Sequence, residues 1–146
     1  MRVFLDTNVL ASAAGTRGLC LDVLLEVFAS HELVLSEYIL EELQRTLTVK
    51  FGVPLETADD FLRLLRQDGV IVKEGEAPAV ELMDKTDVPI LAAVINGKAD
   101  VLVTGDGELQ DLSQVGGVQI LSPRGFWERL RTQQPPEAVD SEESPP

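Results

Sequence analysis

The chain has 146 residues, 45% apolar and 25% charged, which suits one globular domain with a single core and excludes a chain too polar to fold. It carries 12 Lys and Arg against 25 Asp and Glu, a formal charge of −13, and so lacks the basic surface with which nucleic-acid binders usually displace counterions from phosphate. No apolar run approaches the roughly 18 residues that span a bilayer, and Met1-Arg2 passes straight into Val3-Phe4-Leu5-Asp6 without the apolar block of a signal peptide, so a cytoplasmic protein with no membrane association is expected.

Val3-Phe4-Leu5 reads as a short buried strand that delivers Asp6-Thr7-Asn8 at its carboxyl end. Leu21, Leu24, Leu25 and Phe28 recur at helical spacing and predict a helix over 19–29. Residues 32–35 predict a second strand, and Ser36 is an N-cap for one helix over 37–50, whose apolar face is Ile39, Leu40, Leu43 and Leu47 with Glu42 at its border. A helix over 55–66 ends near Asp68-Gly69, followed by a third strand at 70–72. Residues 74–78 are loop-like and 80–84 suit a short helical turn. A packed helix over 87–96 follows, with Pro89 in its first turn and Asn96-Gly97 as its stop. Val101-Leu102-Val103 is a buried strand ending in Thr104-Gly105-Asp106. After a polar connection come a last strand at 118–121 and a helix from Pro123 to about 130. The final stretch is rich in Pro, Ser and Glu, which predicts a folded domain over 1–131 and a disordered acidic tail over 132–146.

Short, continuously apolar strands alternating with helices indicate an α/β fold, a three-layer α/β/α sandwich around a mainly parallel sheet. Ligands of such sheets gather at the carboxyl ends of the strands, where both Asp6 and Asp106 fall. An isolated Asp after a strand is ordinarily a helix cap or a turn former. Here two strand ends supply Asp6 and Asp106, and two helices add Glu42 at a stripe border and Asp87 at an amino terminus; the coincidence points to one acidic centre. Two unit charges about 4 Å apart repel by about 4 kcal/mol at an effective dielectric near 20, so converging carboxylates need a counter-ion. Arg45 and Lys98 are candidate partners from elsewhere in the chain. Oxygen donors without His or Cys select Mg²⁺ or Mn²⁺ over zinc, and such ions suit phosphodiester hydrolysis.

Other residues carry less. Cys20 stands alone between Leu19 and Leu21 and reads as a small buried hydrophobe. His31 lies far from the acids in sequence and receives no role, while Phe126 and Trp127 suit a core or docking position better than base stacking. Neither a GxxxxGK[ST] loop nor a GxGxxG motif occurs, which removes the usual sequence signals for nucleoside triphosphates and dinucleotides.

Taken in order, Val3 to Leu10, Leu35-Ser36 with Ile39 to Leu43, Asp84 to Leu91, Val103 to Asp106 and Ile120 to Phe126 resemble the PIN-domain ribonucleases, especially the prokaryotic, VapC-like toxins of toxin-antitoxin pairs. The resemblance covers roughly residues 2–130. It implies an endoribonuclease that prefers single strands and uses Mg²⁺ or Mn²⁺, with RNA as substrate, an antitoxin protein as a possible partner and a homodimer as the assembly. It also implies that Asp6, Glu42, Asp87 and Asp106 are metal ligands or water-orienting groups, supported by Asn8 and Thr104. Glu42 is preferred to Glu41 because the family's acid directly precedes a core Leu, here Leu43. Glu108 stands where the family often has Asp, as an outer ligand or a surface acid. Val88 and Pro89 replace residues that are often polar in the family, and the acidic tail lies outside its pattern.

Two alternatives stay open. The fold can serve as a non-catalytic protein-interaction module, although retention of all four acids argues against it. A phosphatase of the haloacid dehalogenase type also begins with an Asp after the first strand, but it wants a second Asp two residues on, where this chain has Asn8.

Overall fold

The computed structural model describes residues 1–73, 75 and 87–132. The expected turn at 80–84, most of the loop at 74–78 and nearly all of the expected tail lie outside the described residues.

Among the described residues, six strands form one sheet: β1 (Arg2–Leu5), β2 (Glu32–Ser36), β3 (Gly69–Val72), β4 (Val101–Val103), β5 (Gln114–Val115) and β6 (Val118–Leu121). Their spatial order is β3-β2-β1-β4-β6-β5, parallel throughout except for the antiparallel β5–β6 pair. The central strands are short because each is buried on both faces: Val3, Phe4, Leu5, Val101, Leu102 and Val103 are all 0% exposed. From β1 the chain proceeds outward through β2 and β3, then returns to the other side of β1 as β4. The order therefore reverses between β1 and β4, and the crevice beyond their carboxyl ends is where such sheets hold ligands.

Seven α-helices of the described residues complete the three layers: α1 (Thr7–Gly15), α2 (Leu19–Ser30), α3 (Glu37–Arg45), α4 (Leu55–Asp68), α5 (Val88–Asn96), α6 (Gly107–Leu112) and α7 (Pro123–Thr132). Helix α1 packs on α2 and α3, α2 on α7, and α3 on both α4 and α5. Ser36 starts α3 as expected, its Oγ accepting the Ile39 N–H at 3.2 Å. The helix expected over 37–50 does not run through unchanged. From Thr46 to Lys50 it widens into a π-helical turn, where the Phe51 N–H bonds the Thr46 carbonyl at 3.1 Å.

Helices α1 and α6 and strand β5 went unread in the sequence. Helix α1 starts immediately after β1 with no intervening loop. Strand β5 exists through a two-residue turn at Gly116-Gly117, whose φ angles of 53° and 83° place both residues in the left-handed region that tight hairpin turns require. Phe126, on α7, is fully buried and meets the His31 ring edge-on at 6.3 Å, a core contact rather than a base-stacking surface. Cys20 is half-buried against the core.

Candidate active site

Asp6 follows β1 directly and continues its ladder, donating its N–H to the Val103 carbonyl at 3.0 Å. It is also the N-cap of α1, with Oδ1 accepting the Thr7 N–H at 2.7 Å. Its other oxygen, Oδ2, accepts the Thr104 hydroxyl at 2.7 Å. The Thr104 side chain is wholly buried, and its Oγ1 in turn accepts the Asp106 N–H at 3.0 Å. Thr104 therefore couples the two strand-end aspartates, as befits β1 and β4 being hydrogen-bonded neighbours.

Asp106 begins α6 as its N-cap, Oδ1 accepting the Glu108 N–H at 2.8 Å and, at the long limit of 3.5 Å, that of Leu109. Glu108 is half-buried in the first turn of that helix, and Gln110 braces the loop by donating Nε2 to the Thr104 carbonyl at 2.7 Å. The ordinary reading of a strand-end Asp as a helix cap is thus true of both residues, and it coexists with the acidic centre.

Glu42 reaches the centre from α3. Its Oε1 accepts the Thr7 hydroxyl at 2.6 Å and its Oε2 the Tyr38 hydroxyl at 3.2 Å. Glu41, one residue earlier, is exposed. Asp87 stands at the amino end of α5, 7% exposed, and makes no side-chain capping bond there. Asn8 is exposed in the first turn of α1, and the residue that bonds Glu42 is its neighbour Thr7.

These acids feel one another. Burial pushes the Asp6 carboxyl above the usual carboxylate range; hydrogen bonds from Thr104 and Thr7 oppose that, and the Glu42 and Asp106 charges add to it. Burial and the adjacent Glu42 push the Tyr38 phenol up to about 12, with Asp87 contributing in the same direction and Arg45 against it. Tyr38 thereby connects Asp87 to the group electrostatically.

The contact is electrostatic rather than a formed ligand cage. Among the described residues no three His, Cys, Asp or Glu side chains surround one point closely enough to hold a metal as they stand. In this arrangement Asp6 and Asp106 each use one oxygen as a helix cap, and both Glu42 oxygens accept hydroxyls, from Thr7 and Tyr38. The donor chemistry nevertheless fits a hard divalent cation, because every candidate ligand is oxygen. Asp6, Glu42 and Asp106 do not appear in the ion pairs Arg2–Glu32, Arg63–Asp60 and Arg66–Glu37. Of the two cations suggested by the sequence, Arg45 lies near the Tyr38 phenol. Lys98 follows the carboxyl end of α5, the end opposite Asp87, and lines an open pocket with Arg2 and Lys73 instead.

Sequence reading passed over Thr7, Tyr38 and Gln110. The signal for Tyr38 was its spacing of four from Glu42 on one helix, which puts the two side chains on the same face.

A parallel sheet with carboxylates gathered where its strand order reverses defines a class of α/β proteins with an acidic, oxygen-only centre. Within that class the chain belongs to the PIN domain family, whose sequence profile matches residues 2–108. PIN domains are generally nucleases, and those nucleases generally use divalent metals. The fold is similar to that of a chain in the crystal structure of VapBC2 from Rickettsia felis bound to a DNA fragment from their promoter. That likeness has a TM-score of 0.60 at 17% identity and covers 82% of this chain and 97% of the other. No curated protein matches the chain in sequence. No helix among the described residues is long and apolar enough to cross a membrane.

Proposed function

We propose that this protein is a metal-dependent endoribonuclease that hydrolyses RNA phosphodiester bonds and acts as the toxin of a toxin-antitoxin pair. The observation that carries the reading is Asp6: a buried carboxyl, bonded by Thr104, whose ionisation is opposed by burial and by two neighbouring acids. A divalent cation reverses that opposition, since it is the strongest local charge at such a centre. Asp6 and Asp106 are the principal candidates to hold Mg²⁺ or Mn²⁺, with Asp87 and Glu42 completing the set and orienting water. Thr104 fixes Asp6, while Asn8 and Glu108 have outer, supporting places. When bound, the cation supplies Lewis acidity toward the phosphodiester and neutralises charge on the leaving oxygen.

The fold shared with VapBC2 supports an antitoxin as the protein partner, and the homodimer and cytoplasmic setting belong to the same reading. The nuclease unit comprises residues 1–131, with the acidic 132–146 outside it. The second reading is a PIN fold kept as a non-catalytic interaction module, against which the retention of Asp6, Glu42, Asp87 and Asp106 counts.

The test combines the purified chain with single-stranded RNA and Mn²⁺, alongside Asp6→Ala. The parent should cleave, and the variant should not, while keeping the parent's circular dichroism spectrum. Equal cleavage by Asp6→Ala removes the assignment. A parent that shows no saturable Mn²⁺ binding by calorimetry favours the interaction module.

A further inference from the structure

The Glu42 carboxylate is held at both oxygens by side-chain hydroxyls from two different elements. Thr7 Oγ1 donates to Oε1 at 2.6 Å from the first turn of α1, and Tyr38 donates to Oε2 at 3.2 Å from the preceding turn of α3. Thr7 is 5% exposed and has a second attachment, because its own N–H bonds Asp6 Oδ1 at 2.7 Å. One residue thus ties the carboxylates of Asp6 and Glu42 together. Tyr38 lies four residues before Glu42, the spacing that brings two side chains together on one helix face, and the Ser36 cap fixes the turn from which it projects. Both hydroxyls donate and a carboxylate accepts at both oxygens, so donors and acceptors match one to one.

We propose that Thr7 and Tyr38 are positioning residues, a pair of hydroxyls that fixes the Glu42 carboxylate in the orientation from which it serves a divalent cation and RNA at the Asp6 centre. This rests on the nuclease reading given above. A long acidic side chain on a helix surface samples many rotamers; two bonds to separate oxygens leave it one. Partners of this kind around a metal centre usually matter for affinity and rate by about 10- to 100-fold. The competing account is that the two bonds merely pin α1 against α3, which pack on each other.

The experiment uses the full chain in four forms: parent, Thr7→Val, Thr7→Ser and Tyr38→Phe. Mn²⁺ affinity is read by calorimetry, thermal stability in chelator, and RNA cleavage as separate kcat and KM. Thr7→Val and Tyr38→Phe should each weaken Mn²⁺ binding and lower kcat by about 10- to 100-fold with KM little changed, and Thr7→Ser should recover most of the valine loss because it keeps the hydroxyl. A simple pin would lower the melting temperature in chelator while leaving Mn²⁺ affinity and kcat at parent values. That result overturns the proposal and leaves the nuclease reading intact. A parent that neither binds Mn²⁺ nor cleaves RNA overturns both. If Thr7→Val fails to fold, Tyr38→Phe decides alone, since it removes a single oxygen from a half-buried ring.

Discussion

Replacing Thr104 by valine preserves the shape of a wholly buried side chain and removes one oxygen. That oxygen donates to Asp6 at 2.7 Å and accepts the Asp106 N–H at 3.0 Å. A hydrogen bond to a charged group contributes about 1.5–3 kcal/mol, and stranding a buried polar group costs about 1–3 kcal/mol. Asp106 is half-buried and water can reach its surroundings, so the lower part of the second range applies, and a total loss of about 2–4 kcal/mol is expected. At about 3 °C per kcal/mol for a domain of this size, the melting temperature should fall by about 6–12 °C.

The loss should also depend on pH. Asp6 has a raised pKa in the native state, so the native state binds its proton more tightly than the unfolded chain does, and stability falls as pH rises through the native value. The Thr104 hydrogen bond works against that rise. Without it the destabilisation grows on the alkaline side and shrinks as pH falls toward and below 3.8, the ordinary value, beneath which Asp6 is protonated in both states. Denaturant unfolding of parent and Thr104→Val at several pH values between about 4 and 7.5, repeated in an Asp6→Asn background, measures both effects. An unchanged loss across that range, or full additivity with Asp6→Asn, would refute the claim that Thr104 acts through the Asp6 carboxylate.

Asp6→Asn should raise the melting temperature of the metal-free protein near pH 7.5, by less at about pH 4, and abolish RNA cleavage; a lower melting temperature at both pH values counts against a destabilising buried charge. Chelator should stop cleavage, and Mn²⁺ at 100 times its dissociation constant should stabilise the fold by about 2.7 kcal/mol, read as a shift in thermal unfolding. Removing residues 133–146, which include Glu137, Asp140, Glu142 and Glu143 and no Lys or Arg, should leave the melting temperature unchanged and tighten RNA binding most at low salt. A salt-independent change would mean that the segment does more than repel phosphate.

The sheet was legible because burial on both faces writes itself into sequence as unbroken apolar runs, and Val3 to Leu5, Leu33 to Leu35 and Val101 to Val103 are such runs. Helices long enough to repeat their apolar spacing, such as α2 and α4, were equally plain. Helix α6 spans six residues, too few for a period to emerge, and α1 follows β1 with only Asp6 between them, so no turn residues mark its start. The Gly116-Gly117 pair was the available sign of the β5–β6 hairpin. At the site, the positions of Asp6 and Asp106 at strand ends could be read, and the spacing of four between Tyr38 and Glu42 marked their bond within α3, whereas the bonds that Thr7 and Thr104 make cross between elements and leave no local pattern. The widening of α3 at Thr46 likewise has no marker in the residues around it.

Asp6 and Asp106 each do the work of a helix cap while standing at the acidic centre. On the proposed nuclease reading, selection for folding and selection for chemistry act on the same two carboxylates, but they do not demand the same residues. Folding alone accepts asparagine or serine at a cap almost as readily as aspartate, whereas the proposed metal centre would require the charge. In a saturation library, stability should tolerate Asp, Asn and Ser at position 106 and reject Ala and Leu, while activity should tolerate Asp alone. A lineage of this fold that had given up chemistry would accordingly drift toward neutral caps at these positions and keep its helices.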